Sequence, residues 1–183
     1  PFFFFFPGIV ALEDGQGEFK DHDDSYEVGV SVKQNAYQFA GKENEDFVLV
    51  TYDITNTSAQ DFTSLHAGLY FDWDIGISGQ NNIIRLDEQD GFGYAYRIQT
   101  DTLPSVAVAL LSAQPLNFYA ADNDGVYFGG SSISGGFNNT VKWGMLSSGI
   151  GRRASNPTDV SMVIGGGPMT LPRGETVRVG FAI

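Results

Sequence analysis

The acidic residues carry most of the chemistry this chain could perform. Asp72 and Asp74 flank Trp73, and residues two apart on a strand point to one face. Two carboxylates beside an aromatic ring are the equipment of a glycosidase, where one acid protonates the leaving oxygen and the other serves as base or nucleophile. Acids at this spacing sit about 6–7 Å apart at Cα and share one environment, which does not readily separate an acid from a base. The two histidines, His22 and His66, form no HExxH or other metal-ligand pair. Ser64 and His66 share a strand face, but no G-x-S-x-G elbow is present to expose a nucleophile. Gly165-Gly166-Gly167-Pro168 lacks the Lys-Ser/Thr and the helix of a phosphate-cradling loop, and reads as a turn. No residue is assigned a catalytic role, and the chain is not expected to be an enzyme.

Calcium is the better metal candidate. Asp122-Asn123-Asp124-Gly125 places hard oxygen ligands at alternate positions before a glycine, as at the start of a calcium loop, with Asp122 and Asp124 as ligands. The acid that would close such a loop is replaced by Ile133. The alternative is an Asx-rich β-turn. Asp87-Glu88-Gln89-Asp90-Gly91 is similar and also incomplete. No motif requires a cofactor. Asn56-Thr57-Ser58 and Asn138-Asn139-Thr140 fit the N-glycosylation acceptor pattern.

The chain carries a net charge of −12 with 10 Lys and Arg. Nucleic-acid binding rests on neutralising phosphates, so a polyanion is not expected as partner, nor is an anionic membrane surface. There is no cysteine, which excludes disulfides and thiolate-bound zinc. No apolar run reaches the roughly 18–20 residues that span a bilayer, and no signal-peptide pattern is visible. Membrane insertion is not expected.

The elements that must position these residues read as strands. Tyr26–Lys33 alternates apolar and polar residues, and Phe47–Asn56, Leu65–Ile75, Gly91–Gln99, Ser105–Ser112, Val126–Phe128, Val160–Ile164 and Thr176–Ile183 read as further strands. Asn139–Ser148 reads as one short helix, capped by Asn139 and stopped at Gly149. Many short strands with glycine turns favour an all-β fold: a β-sandwich of about seven to nine mainly antiparallel strands with one helix. The first ten residues stand apart. Phe2, Phe3, Phe4, Phe5 and Phe6, with Ile9 and Val10, have high β-propensity and nothing polar among them. Glu13–Ser25 is rich in Gly and acid and reads as a solvated linker. Residues 1–25 are therefore expected to be a detached N-terminal strand with an acidic linker, and residues 26–183 a sandwich domain.

Phe47–Ser58 (FVLVTYDITNTS), followed by Leu65–Ile75 (LHAGLYFDWDI), resembles β-rich modules of large secreted proteins of Bacteroidota and related bacteria. Val106–Ser112, Asn117–Ala120, Lys142-Trp143, Asp159–Val163 and Gly167 to Ile183 continue the same series, so the resemblance covers about residues 26–183. Such modules often lie beside subtilisin-like peptidase domains and ahead of a sorting domain. The resemblance implies a secreted or cell-surface β-sandwich and supplies no catalytic residue. It also brings in Thr102, since Asp101-Thr102-Leu103 matches the O-glycosylation pattern of secreted proteins of that group. The chain departs from the family in its phenylalanine strand and in stopping at Ile183, which leads us to expect a subunit rather than a peptidase accessory.

The leading expectation is a structural subunit of an extracellular filament. Phe2, Phe3, Phe4, Phe5, Phe6, Ile9 and Val10 of one subunit would insert as a donor strand into the next, head to tail, with identical subunits as partners and glycans on the surface. The alternative for this segment is that it folds back as an edge strand of its own chain. The alternative function is a non-catalytic, carbohydrate-binding module of a larger secreted enzyme. Tyr70, Trp73, Tyr94 and Tyr96 would then form a sugar-stacking face, unless they are core residues.

Overall fold

In the computed structural model, residues 2–21, 28–98 and 103–183 are described. Alternation of side chains builds most of the strands. In β4 (Leu49–Asn56) and β12 (Thr176–Ala182), Val50 and Ile54 on one strand and Val179 and Phe181 on the other turn to one buried face. The pair is antiparallel, with Val50 opposite Phe181 and Tyr52 opposite Val179. The intervening positions form the other face. Glu18, Lys33, Asp53 and Arg178 lie side by side across four strands with alternating sign. Arg178 donates from Nε and Nη2 to the two oxygens of Asp53, at 2.6 and 2.8 Å. A slip of one residue would put these charges on the apolar face, so the ladder and the core specify the same register.

The chain divides into two units, Pro1–Leu65 with Leu111–Ala113 and Pro168–Ile183, and His66–Leu110 with Gln114–Gly167. The first is built on an antiparallel sheet of β1 (Phe2–Phe5), β2 (Glu13–Lys20), β3 (Val30–Gln38), β4 and β12, in that order.

The second unit contains the sandwich. One layer is the antiparallel array of β6 (Asn82–Asp87), β7 (Phe92–Arg97) and β8 (Val106–Leu110). The other has the order β10 (Ile150–Arg152), β9 (Leu116–Asp122), β11 (Val160–Leu171), β5 (Phe62–Trp73). β9 runs antiparallel to β11 and parallel to β10. The layers meet where Gly93 of β7 faces Phe118 and Met162, and a Cβ on Gly93 would collide with that ring and sulfur. Both faces of β9 and β11 are buried. Their second face is covered by the one α-helix among the described residues, α1 (Asn139–Ser147), whose Val141 and Met145 pack on Ala121 and Val163. The outer edge of β6 is closed by bridges from Asn82 to Thr158 and Arg85 to Ala154. The fold is an all-β sandwich with one helix.

Several expectations are corrected. The first strand is not detached: Phe2, Phe3, Phe4 and Phe5 pair antiparallel with Gly17, Gln16, Gly15 and Asp14 of the same chain. Phe2 to Phe5 therefore form an edge strand of their own sheet, because β2 offers them a hydrogen-bonding partner within the chain, and Phe6, Ile9 and Val10 lie in the turn that follows. The expected linker is β2 over Glu13–Lys20, itself paired with β3. Residues 22–25 of that linker, and residues 26 and 27 of the strand expected after it, lie outside the described residues. Gly165-Gly166-Gly167-Pro168 is no turn but the interior of β11. A Cβ on Gly165 would strike the Ala67 carbonyl and Gly68, so these glycines let two backbones approach closely. Val126–Phe128 is not a strand, and Phe128 opens a 3₁₀ turn. The helix is capped by Asn138 rather than Asn139, its side chain accepting from Val141 N at 3.0 Å. No helix among the described residues is long and apolar enough to cross a membrane.

Candidate functional site

The most unusual surface is built by the β1–β2 hairpin. Gly15 and Gly17 of β2 leave room for the Phe2 ring, since a Cβ on Gly17 would come within 2.7 Å of Phe2 Cδ2. Phe4 packs edge-on against Phe2, with ring centroids 4.9 Å apart. Phe3 and Phe5 alternate with them, opposite Gln16 and Asp14. Pairing orders the strand without covering it: Phe2, Phe3, Phe4, Phe5 and Phe6 are 42–78% exposed, and Ile9 at the turn is 85% exposed. The turn is held by Asp14. Its carboxylate accepts the backbone N–H of Ile9, Val10 and Ala11 at 2.6, 2.8 and 3.0 Å. Burial pushes the Asp14 carboxyl up, and these three amides outweigh it, so its pKa falls below the ordinary aspartate range. Asp21 does the same for the next connection, accepting from Val28, Gly29 and Val30.

Beside the hairpin, within the same unit, lies an apolar groove of about 560 Å³. Val10, Tyr37, Phe39, Leu49, Leu111 and Phe181 line it. Of residues 2–12, Val10 alone is in its wall. Leu111 is mostly exposed.

The expected calcium ligands are separated. Asp122 takes both oxygens into a bidentate contact with Arg152 Nη2, at 3.0 and 2.9 Å. The same carboxylate accepts Asn156 N at 2.8 Å and Asn156 Nδ2 at 2.6 Å. Burial raises its pKa, but Arg152 and Asn156 bring it below the usual value. A cation at Asp122 would have to displace Arg152. Asp124 is exposed, and Gly125 N closes a main-chain β-turn on Asp122 O at 2.7 Å, the β-turn that was the alternative.

Asn123 points inward instead. It donates to Asp72 and Asp159 and accepts from Ser161 Oγ, and Ser161 also donates to Asp72. The Asp159 carboxyl is raised by burial and by the charges of Asp72, Asp74 and Asp124, against a lowering contact from Asn123. Among the described residues, no group of three His, Cys, Asp or Glu is placed to hold a metal ion. Asp72 is thus an acceptor in a structural network. His66 lies edge-on to Trp143, with Nδ1 3.3 Å from Asn117 Nδ2.

The glycosylation candidates fare differently. Asn56 is fully buried. Its Nδ2 donates to the carbonyls of Gln60 and Leu171, and its Oδ1 accepts from Ser58 N and Oγ. A glycan on that nitrogen is incompatible with this fold. Asn138 is exposed, although its amide caps α1 and donates to Ser131 Oγ. Thr102 lies outside the described residues.

The four aromatics do not share one face. Phe92, Tyr94 and Tyr96 take the face of β7 opposite the buried Gly93 and Ala95, and the Tyr94 and Tyr96 rings lie 6.0 Å apart at 20°. Tyr70 and Trp73 point to opposite faces of β5. Tyr70 packs on Phe137, and Trp73 stacks on Phe71.

The sequence reading missed the anchoring role of Asp14 and Asp21. The signal was an acid next to a Gly-containing loop, the composition of an Asx-type turn. It also missed the apolar groove, whose walls come from segments far apart in the chain. No protein-family model matches the chain, and no curated protein matches it in sequence.

Proposed function

We propose that this chain is a structural subunit that assembles with copies of itself, in a secreted or cell-surface filament, and that the β1–β2 hairpin is the joining element. The observation that carries this reading is the exposure of Phe2, Phe3, Phe4, Phe5 and Phe6 on a hairpin whose strand is already hydrogen-bonded. Soluble monomers rarely expose contiguous apolar patches larger than a few hundred Å². Because β1 is paired with β2, the contact uses its rings and its outer edge rather than an unpaired strand. A partner added at that edge would gain main-chain hydrogen bonds as well as apolar contact. Secretion rests on the resemblance of residues 26–183, and the filament form on the exposed phenylalanine strand. The engagement of Asp72 and Asp122 in internal hydrogen bonds supports a non-catalytic role. Removal of residues 2–10 tests the reading: light scattering and electron microscopy should show assemblies of the full chain and monomers of the shortened one. A shortened chain that assembles like the full one overturns it.

A second reading, a carbohydrate-binding module, is favoured by the Tyr94 and Tyr96 rings, which offer a stacking platform on the outer face of β7. Arg85 Nε donates to Tyr96 Oη at 3.1 Å and fixes one ring. Binding on a glycan array that is lost in Tyr94→Ala supports it, and a blank array removes it.

A further inference from the structure

The hairpin tip and the apolar groove are neighbours on one patch, and this decides how copies pair. We propose that two copies dock reciprocally, the Phe6–Ile9 tip of each entering the groove of the other, to give a closed twofold dimer. The inference rests on the self-assembly reading above and adds the receiving surface and the symmetry.

Three observations favour a second copy as the occupant. The first is area. At roughly 200 Å² per phenylalanine, the exposed fractions of Phe2 to Phe6 leave about 600 Å² of ring surface open. With Ile9 and Val10 this approaches the ~800 Å² that each partner contributes to a standard stable interface. The second is matching chemistry. The tip presents Phe6, Ile9 and Val10, all strongly exposed, and the groove offers Tyr37, Phe39, Leu49, Leu111 and Phe181. Among the described residues no carboxylate lines the groove, and the one charged residue there, Arg178, is held by Asp53. The third is contiguity. Val10 belongs to both the tip and the groove wall, so donor and acceptor lie side by side. A patch that carries both halves of a contact is self-complementary, and self-complementary patches close with twofold symmetry. A filament would then join one dimer to the next through the outer edge of β1, the second surface of the same hairpin, rather than head to tail through the groove.

The net charge of −12 makes copies repel, so salt that screens it should tighten the dimer.

Sedimentation equilibrium on the folded chain tests the proposal, with circular dichroism and thermal melts to show that each variant is folded. The probes are Phe6→Ser with Ile9→Ser for the tip, and Leu111→Asp for the groove. Leu111 is exposed enough for the change to leave the fold intact. In buffer of moderate salt the wild-type chain should reach the mass of a dimer. Each variant should dimerise at least tenfold more weakly. If the tip variant is monomeric while Leu111→Asp pairs like wild type, self-assembly stands but the groove assignment falls. If growth passes beyond the dimer and Leu111→Asp abolishes it, the contact is head to tail and the twofold proposal falls. If both variants associate like wild type, copies pair through another surface and the tip-in-groove proposal falls; if the wild type stays monomeric, the self-assembly reading falls as well.

Discussion

Asp14 Oδ2 accepts the backbone N–H of Ile9 at 2.6 Å, so a buried carboxylate holds in place one of the most exposed apolar side chains of the protein. The hairpin tip is thereby a fixed surface rather than a loose loop. Replacing Asp14 by Ala should loosen the tip and weaken self-association, while the sandwich of the second unit melts unchanged. Amide hydrogen exchange at Ile9, Val10 and Ala11 reads the loosening directly.

The same contact predicts a pH dependence. The Asp14 pKa lies below that of an unfolded aspartate, which is about 3.9. Its stabilisation of the turn is therefore complete above that value and is lost as pH falls through the lower folded one. Exchange protection of the tip amides should hold from neutral pH down to about pH 4 and then collapse. Protection that declines between pH 7 and 5 would contradict the assignment.

Asp159 should behave in the opposite way. Its pKa is raised, chiefly by burial and by repulsion from Asp72, Asp74 and Asp124, against a lowering contact from Asn123. A raised folded pKa contributes stability below the unfolded value, and that contribution disappears as pH rises through the folded one. At neutral pH the ionised group is a net cost. Asp159→Asn keeps an oxygen for Asn123 and should stabilise the chain at pH 7, by about 1 kcal/mol or less given its partial exposure. The gain should vanish near pH 3, which a pair of denaturant titrations at the two pH values would show.

Each unit gives one prediction about stability. Gly93→Ala drives a methyl into Phe118 and Met162 and should cost about 1–3 kcal/mol, as overpacking does. Asn56→Ala leaves the Leu171 carbonyl without its side-chain donor and Ser58 N without its acceptor, while the Gln60 carbonyl keeps Ser58 Oγ, and should cost about 1–3 kcal/mol. Urea denaturation measures both. In glycosylating cells, peptide mass spectrometry should find Asn56 unmodified in folded protein.

The β4–β12 pair was legible because alternation needs no knowledge of the partner: Val50, Ile54, Val179 and Phe181 declare their faces by spacing alone. In the second unit β7 and β8 were expected, but β6, β9 and β10 were not, and β9 shows no alternation because both of its faces are buried. Glycine-rich and acidic strands were not legible. Gly165 to Pro168 carry the local signal of a turn, and become a strand because β5 brings Ala67 and Gly68 close to them. Glu13–Lys20 has no apolar face of its own. It becomes β2 because β1 and β3 supply a partner on each side, its glycines making room for Phe2. The site followed the same division. The stickiness of Phe2 to Val10 was plain from residue type, but the pairing of Phe3 with Gln16 and of Phe5 with Asp14 was not, since neither partner carries a strand signal. The fates of Asn56 and Asp122 depend on Leu171 and Arg152, far away in sequence. Nothing local marked one as buried and the other as paired.

On the proposed reading, copies of this chain meet through the rings of the first hairpin. Static light scattering of the chain and of its Phe2→Ser, Phe4→Ser, Phe6→Ser triple variant at matched concentration tests it most directly. The hairpin should remain paired in both, since its backbone hydrogen bonds are untouched. The account predicts a mass above the monomer for the chain and the monomer mass for the variant. Equal masses for the two, with the variant folded, would contradict it.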